Sequence, residues 1–472
     1  MSKVIKNWSY LLLSDVIQQV IGFVVVILLA RKLSPEGYGL FNVIISIATI
    51  FSVVAHLGMS NVVIRELSLK PETTAAFIKK IILPFRIGSF ALALISFLVY
   101  NSINVSTDDA WLIYVVLIIL NLSLWNFSES VAFGHEVTKY SSILNISVSV
   151  IWLASILIIP EKLLFIKTVL IIYCILHFVK GASYIVLILK NFYLPEKFKR
   201  QTSTISYREF LKMVLPYTWL LLIFTLSSQL PLQFLNSNAN LKEVGFYAVG
   251  FKLMVPISIA VGTAFKAIFP SLTRLFAKDK LEFQRRIKFC FSTIIISGTF
   301  VSIAGSLTSN YWLPIVFGEE YRSAVLVFNV LIWFSVLSML DSLLSNGLSS
   351  GYKESVLAII ATIDIIILLP LIYYSSFYGA WGVAFMKLIA GILFLSYHLY
   401  IFTKILNVKI FNRELIILLG FYFLSLISCL IIENNIHQLI AIVTLLITVL
   451  TIRESPVVET FKFVQQKISK TR

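Results

Sequence analysis

Two lysines within one apolar segment are the side chains best placed to do chemistry. Lys252 and Lys266 lie fourteen residues apart and are the only charged residues between Glu243 and Arg274. At 3.6 residues per turn, this spacing puts them within about 40° of each other on one helical face. Two ammonium groups at different positions along one helix can attract an anion and pass it from one to the other. The alternative is that Lys266 reaches a nearby polar surface while Lys252 pairs with an acid.

Asp364 and Lys387 form a second candidate pair. They lie near the middle of two consecutive apolar segments, which would be neighbouring antiparallel helices. Our first interpretation is a structural ion pair. The alternative is that Asp364 binds a coupling ion, H⁺ or Na⁺. We interpret His398 as a packed or interfacial histidine, and Asp341 as a carboxylate close enough to a helix end to reach water.

The sequence gives no support for enzyme chemistry. Adjacent carboxylates occur only at Asp108 and Asp109 and at Glu319 and Glu320, in short polar loops. There is no GxxxxGK[ST] phosphate-binding loop, so ATP is not expected to be a direct energy source. The three cysteines are far apart and lack the spacing of a disulfide framework or a metal site. We therefore expect no catalytic residues, no metal and no cofactor.

Apolar segments long enough to cross a bilayer position these residues. Hydrophobic residues make up 58% of the 472 residues and charged residues 13%, and the mean hydropathy is +0.92. A membrane-spanning helix needs about twenty apolar residues, and its backbone must be hydrogen-bonded internally. The sequence therefore predicts an all-α polytopic membrane protein with about 14 transmembrane helices. The predicted spans are 9–31, 37–60, 81–100, 111–133, 141–160, 164–189, 210–235, 243–270, 288–309, 323–346, 355–375, 379–402, 414–433 and 436–452.

The basic residues predict the orientation. With the N-terminus inside, most of the 39 lysines and arginines fall in inward loops and tails, as the positive-inside rule requires. An even number of spans then places both termini in the cytoplasm, in a multi-pass protein of the cytoplasmic membrane. We interpret the first span as a retained helix because it lacks a small-residue cleavage site. The net charge of +16 is interpreted as a topological signal and as contact with anionic membrane lipids, not with nucleic acid.

Two lobes are predicted. The expected domains are an N-terminal lobe at 1–190, a basic cytoplasmic linker at 191–212, a C-terminal lobe at 213–403, and two further helices with a basic tail at 404–472. The turn SPEGYGLFNV from Ser34 is similar to LKEVGFYAV from Leu241, which favours two pseudo-repeated six-helix lobes. Duplicated halves are common in secondary transporters.

Three motifs carry a resemblance to a known family. They are LLARKLSPEGYGLFNVIISI at 28–47, AHLGMSNVVIRELS at 55–68 and LPIVFGEEYRSAVLVF at 313–328. With the glycine turns at Gly134 and Gly351, these motifs resemble polysaccharide or O-antigen flippases (Wzx-type) of the multidrug/oligosaccharidyl-lipid/polysaccharide (MOP) transporter superfamily. His56 departs from the pattern, because relatives often carry an acid there.

The resemblance implies a V-shaped pair of six-helix lobes and an alternating-access cavity lined by the first two helices of each lobe. It also implies that a polyprenyl-pyrophosphate-linked oligosaccharide moves from the cytoplasmic to the outer leaflet for surface polysaccharide synthesis. Partners would be this lipid-linked oligosaccharide, membrane lipids, and polysaccharide polymerase and chain-length proteins. A cation-coupled multidrug or small-solute antiporter of the same superfamily is the alternative, although the two lysines argue against a site for cationic drugs.

The resemblance also extends the set of candidate site residues. Lys252 and Lys266 would attract the pyrophosphate from a cavity-facing helix. Asp15 would face the same cavity, where it could pair with Lys252, accept sugar hydroxyls or bind the coupling cation; a solvated carboxylate near the surface is the alternative. Arg31 and Arg65 would meet the pyrophosphate at the two mouths or, alternatively, anchor lipid headgroups and cap their helices. The sugar, the glycan type, the coupling ion, the oligomeric state and the role of the last two helices are left open.

Overall fold

All regular structure in the described part of the chain is helical. The computed structural model describes residues 3–103, 111–193, 205–410 and 412–431. Short 3₁₀ and π-helical turns join the α-helices, and no strand occurs in these ranges. The α-helices are α1 (Lys3–His56), α2 (Ser60–Leu69), α3 (Thr74–Phe77), α4 (Leu83–Ile103), α5 (Leu112–Gly134), α6 (Thr138–Ile158), α7 (Ile166–Ile188), α8 (Tyr207–Asn238), α9 (Leu241–Lys278), α10 (Lys280–Phe317), α11 (Ala324–Ser350), α12 (Glu354–Ser375), α13 (Gly379–Leu406) and α14 (Arg413–Ile431).

Eleven of the described helical segments are long and apolar enough to cross a membrane, which confirms the predicted class. Two of them, Leu13–His56 and Glu354–Leu406, are 44 and 53 residues long, about twice the length that one crossing needs. The first is broken at Ser34 and the second contains the 3₁₀ turn Ser376–Tyr378, so each can hold two of the predicted spans. The last predicted span, 436–452, lies outside the described residues. The count of fourteen stays a prediction.

The break in α1 follows from a serine–proline pair. Ser34 has φ 61° and ψ 167°, a backbone conformation outside the helical region. Pro35 follows, and its missing N–H cannot complete the hydrogen-bond ladder of the preceding turn, although proline is well suited to begin a helix. The sequence-based boundary between the first two spans, which placed a loop at 32–36, agrees with this break.

The chain divides into two compact units, Met1–Gly245 and Phe246–Arg472. In the first unit, α1 packs against α8 through polar as well as apolar contacts. The buried Gln233 side chain donates from Nε2 to the carbonyl oxygen of Val43 at 3.1 Å and also contacts the Ser46 hydroxyl. Thr218 Oγ1 donates to the carbonyl oxygen of Leu57 at 2.7 Å. The predicted lobes and linker, with boundaries at 190 and 213, stay a prediction.

In the second unit, α11 is the central helix of the described residues. It has the largest buried share of any candidate span. Its fully buried Trp333 packs against Tyr422 of α14, with ring centroids 5.4 Å apart. The Tyr422 hydroxyl donates to the Trp333 carbonyl oxygen at 2.7 Å. This pair attaches α14, the thirteenth predicted span, to the core of its unit.

Candidate functional site

A cluster of four ionisable or polar side chains lies inside the second unit. It joins Asp341 of α11, Asp364 of α12, and Tyr397 and His398 of α13. His398 Nδ1 contacts Asp341 Oδ1, and its Nε2 lies 3.3 Å from Asp364 Oδ2. The Tyr397 hydroxyl donates to Asp364 Oδ1. One imidazole ring therefore lies between two carboxylates from different helices.

Exposure within the cluster is uneven. The His398 side chain is 5% exposed, whereas those of Asp341 and Asp364 are 36% and 21% exposed. Each ring nitrogen of histidine can carry a proton or accept a hydrogen bond, so a proton arriving at either carboxylate has a neighbouring acceptor. The arrangement can bind and release protons within a helical segment long enough to span a membrane. Ionisable groups inside membrane-spanning segments are rare and, where they occur in pairs, are often part of proton pathways, which makes this cluster a candidate functional site.

The expected Asp364–Lys387 ion pair is wrong. Asp364 instead meets side chains ten and eleven residues further along α13, about three helical turns from Lys387. The buried Lys387 ammonium lies over three aromatic rings, 5.0 Å from the centroid of Phe251, 5.7 Å from Tyr247 and 6.0 Å from Phe334. Such rings attract cations through their negative faces. The two helices were correctly paired, but the positions of these side chains along the helix axes were not correctly matched.

Lys252 and Lys266 both lie on α9, as expected, with Pro256 between them. Fourteen residues of helix separate them by about 21 Å along the axis. The Lys252 side chain is exposed, and within the described part of the chain it forms no ion pair. The side chain of Lys266 lies outside the described atoms. The described residues therefore do not support the alternative in which Lys252 pairs with an acid.

The remaining predicted site residues, Asp15, Arg31 and Arg65, belong to the first unit. Asp15 and Arg31 are exposed on α1, Arg31 three residues before the break at Ser34. Arg65 is exposed on α2, where its Nη2 lies 3.3 Å from Glu66 Oε1 and 2.9 Å from Met213 Sδ. Arg65 therefore lies in the middle of α2 and contacts one neighbouring acid and one methionine sulfur.

A second, partly buried polar cluster lies in the first unit, and its residues were not among the predicted site residues. Glu129 Oε1 of α5 accepts hydrogen bonds from Asn145 Nδ2 at 3.0 Å and from the Tyr184 hydroxyl at 3.1 Å. The Lys180 ammonium lies 3.2 Å from the centroid of the Trp125 ring. The partners of Glu129 come from α6 and α7, which no spacing within α5 could indicate.

The signal for the His398 cluster was present but incomplete. Asp341, Asp364 and His398 each interrupt an apolar span. The sequence therefore marked three helices that carry an ionisable side chain whose insertion into the membrane is energetically unfavourable. The meeting of these helices at one level depends on tertiary packing.

The fold is similar to those of a lipid flippase and of a multidrug transporter whose structures are known. It is similar to the lipid II flippase MurJ in an inward closed conformation, with a TM-score of 0.66 and 13% identity, covering 97% of this chain and 99% of that one. It is also similar to an inward-facing multidrug resistance MATE family transporter of the MOP superfamily, with a TM-score of 0.63 and 15% identity, covering 83% of this chain and 95% of that one.

The family follows from the sequence comparison. Residues 4–276 match the family model described as polysaccharide biosynthesis protein, and the chain belongs to this family. A curated relative, a candidate O-antigen transporter of Shigella flexneri, is 24% identical over 408 residues, covering 81% of this chain and 93% of the relative. The resemblance drawn from the three sequence motifs is confirmed.

Proposed function

We propose that this protein is a flippase that moves a polyprenyl-pyrophosphate-linked oligosaccharide from the cytoplasmic to the outer leaflet of the cytoplasmic membrane by alternating access. The observation that carries the proposal is the family match across residues 4–276. The Shigella flexneri relative, covered over 93% of its length, supports a cargo of the O-antigen kind. Both termini would lie in the cytoplasm, and polysaccharide polymerase and chain-length proteins would act on the exported unit.

The cargo pyrophosphate would bind the face of α9 that carries Lys252 and Lys266. An ammonium near the bilayer centre costs about 2.5–3.5 kcal/mol on insertion scales, so an exposed Lys252 with no ion pair among the described residues requires water or an anion beside it. A pyrophosphate supplies that anion and several hydrogen-bond acceptors. Asp15 would accept sugar hydroxyls, and Arg31 and Arg65 would meet the cargo at its points of entry and release.

Proton movement through Asp341, His398 and Asp364 would supply the energy. The two carboxylates are partly exposed while the imidazole between them is buried, as expected for a site that exchanges protons with water through its acids. This assigns Asp364, one of the two predicted ion-coupling residues, to proton coupling in the company of His398. It leaves Asp15 as a cargo contact.

The proposal is tested by deleting the gene in its native host and quantifying pyrophosphate-linked oligosaccharide on the cytoplasmic face of the membrane. The wild-type gene should relieve the accumulation, and Lys252→Ala and Lys266→Ala should not. Lys353→Ala is the matched control, since Lys353 is an exposed lysine in the turn between α11 and α12. An absence of accumulation in the deletion strain would contradict the flippase.

The alternative function is a cation-coupled multidrug or small-solute antiporter. The structural likeness to a multidrug resistance MATE transporter favours it at the level of fold. It predicts that the deletion strain retains more cationic dye and that lipid-linked oligosaccharide stays unchanged, so the same strain separates the two functions.

A further inference from the structure

An apolar pocket lies in the first unit, and none of the candidate residues above lines it. Its volume is about 330 Å³, and its walls come from α4, α5, α7 and the turns that flank α4 and α7. Two π-helical segments, Ile78–Ile82 and Leu189–Tyr193, both contribute to these walls. Single π-helical turns are rare and are frequently found at functional sites. Two of them around one pocket mark it as a candidate binding site.

The pocket contains a buried charge. Arg86 of α4 is 9% exposed, and its guanidinium donates from Nη1 to the Ser123 carbonyl oxygen at 2.7 Å and from Nη2 to Ser123 Oγ at 2.9 Å. The same group lies 4.9 Å from the centroid of the Phe127 ring. No ion pair within the described ranges includes Arg86. An anion bound here would compensate a charge that is costly to bury.

A second observation concerns the pocket wall. Ser128, another wall residue, is fully buried, and its hydroxyl has no hydrogen-bond partner within the described residues. A buried hydroxyl without a partner costs about 1–3 kcal/mol, and a ligand oxygen would satisfy it only after the neighbouring wall residues move apart. Arg86 thus provides the charged donor in a pocket whose other walls are mostly aliphatic and aromatic.

The charged residues that line the pocket are all basic. Lys79 lines it and is exposed, Lys80 and Lys190 belong to the same two π-helical segments, and none of the residues lining it is acidic. Juxtamembrane lysines attract anionic lipids with about 1 kcal/mol each. A soluble anion would leave the apolar walls unfilled. A peptide would bring backbone groups that these walls cannot pair. An anionic lipid satisfies both the charge and the walls.

We propose that this pocket holds one acyl chain of an anionic membrane phospholipid whose phosphate contacts Lys79 and Arg86. The acyl chain lies along Ile82, Leu124 and Ile185. The site is independent of the cargo and of the proton-binding cluster, so its failure and that of the proposed function are distinguishable.

Native mass spectrometry of the full-length protein in detergent tests the site, with phosphatidylglycerol and phosphatidylcholine of the same acyl chains as probes. The wild type should retain phosphatidylglycerol preferentially. Lys79→Gln should reduce its retention about fivefold, the effect of one juxtamembrane charge. Lys139→Gln, which removes an exposed lysine outside the pocket, should leave retention unchanged.

A cavity-filling variant tests the pocket without replacing the buried Arg86, whose loss would also disturb the packing of α4 and α5. Ile185→Trp places an indole inside the pocket, whereas Ile175→Trp alters an exposed position on the same helix that does not line it. Only Ile185→Trp should lose phosphatidylglycerol, with both variants eluting as the wild type does in size-exclusion chromatography. Equal retention of the two lipids by the wild type, or binding of polyprenyl phosphate with no phosphatidylglycerol, would overturn the proposal.

Discussion

Gly39 and Gly245 make reciprocal backbone contacts. Gly39 lies against the start of α9, and Gly245 lies against the residue that follows the break in α1. A methyl group built on Gly39 would lie 1.9 Å from the carbonyl oxygen of Leu241, and one built on Gly245 would lie 2.1 Å from the carbonyl oxygen of Pro35. In each case the carbonyl belongs to the residue four positions before the other glycine. The two turns that look alike in sequence therefore contact each other in a locally two-fold way. Small residues allow such close backbone approach between membrane helices.

Replacing either glycine with alanine should destabilise the protein. Gly39→Ala and Gly245→Ala each place a carbon atom well inside contact distance of a backbone oxygen, which cannot rotate away as a side chain can. Overpacking of this kind costs about 1–3 kcal/mol. The expected result is a lower midpoint of thermal unfolding in detergent. Unfolding is monitored by the fluorescence of a dye that reacts with the buried cysteines when they become exposed.

The chain offers matched controls for these substitutions. Gly22, Gly88 and Gly420 are helical glycines with open space where a methyl group would go. Alanine has the higher helix propensity, so Gly88→Ala should leave the midpoint unchanged or raise it slightly. Equal midpoints for Gly39→Ala and Gly88→Ala would show that the close approach at Gly39 is absent from the protein in solution.

The attachment of α14 gives a second prediction. Tyr422→Phe removes the hydroxyl that donates to the buried Trp333 carbonyl oxygen at 2.7 Å, while the ring contact remains. The free energy of unfolding should fall by about 0.5–1.5 kcal/mol, which is measured as a shift in the midpoint of detergent-induced unfolding. Tyr400→Phe is the control, because Tyr400 is 61% exposed on α13. A shift of the same size in both variants would contradict a specific role for the buried hydrogen bond.

The helical class and most helix positions could be predicted because they depend on local composition. An apolar run of about twenty residues forms a helix inside a membrane, because its backbone groups must be hydrogen-bonded within the segment. Pro35 marks the first helix break because it lacks a backbone N–H. The same local reasoning put Lys252 and Lys266 on one helix, which α9 confirms.

The partners of the charged side chains could not be predicted, because they depend on how far neighbouring helices are shifted along their axes. Asp364 and Lys387 were assigned to adjacent helices at similar depth, and the helices are indeed consecutive. In the structure Asp364 meets Tyr397 and His398, about three helical turns along α13 from Lys387, whose ammonium lies near aromatic rings. Hydropathy is insensitive to such shifts, since apolar residues both precede and follow each of these charged residues.

The aromatic surroundings of Lys387 lead to a third prediction. Its ammonium lies within about 6 Å of three ring centroids, a geometry worth about 2 kcal/mol when it is desolvated. Lys387→Met keeps the length of the side chain and removes both the charge and its burial cost. We therefore expect the unfolding midpoint to change little in Lys387→Met and to fall clearly in Lys387→Glu, because a carboxylate is repelled by the ring faces. A fall of equal size in both variants would contradict this account.

The fourth prediction concerns proton coupling at His398. In proteoliposomes loaded with a lipid-linked oligosaccharide, an imposed pH gradient should drive flipping by the wild type. His398→Gln keeps a side chain of similar size that can hydrogen-bond both carboxylates but cannot take up a proton. We expect its gradient-driven rate to fall at least tenfold, while exchange of cargo without a gradient persists because the α9 lysines are unchanged.

Asp364→Asn and Tyr397→Phe separate coupling from packing. Asp364→Asn removes a carboxylate that faces His398 and should abolish the response to the pH gradient, as His398→Gln does. Tyr397→Phe removes only the phenol that donates to Asp364 and should keep most of that response, because both carboxylates and the imidazole remain. If His398→Gln responds to the gradient as strongly as the wild type, the cluster is structural, and a sodium gradient or consumption of cargo on the far side becomes the energy source to test.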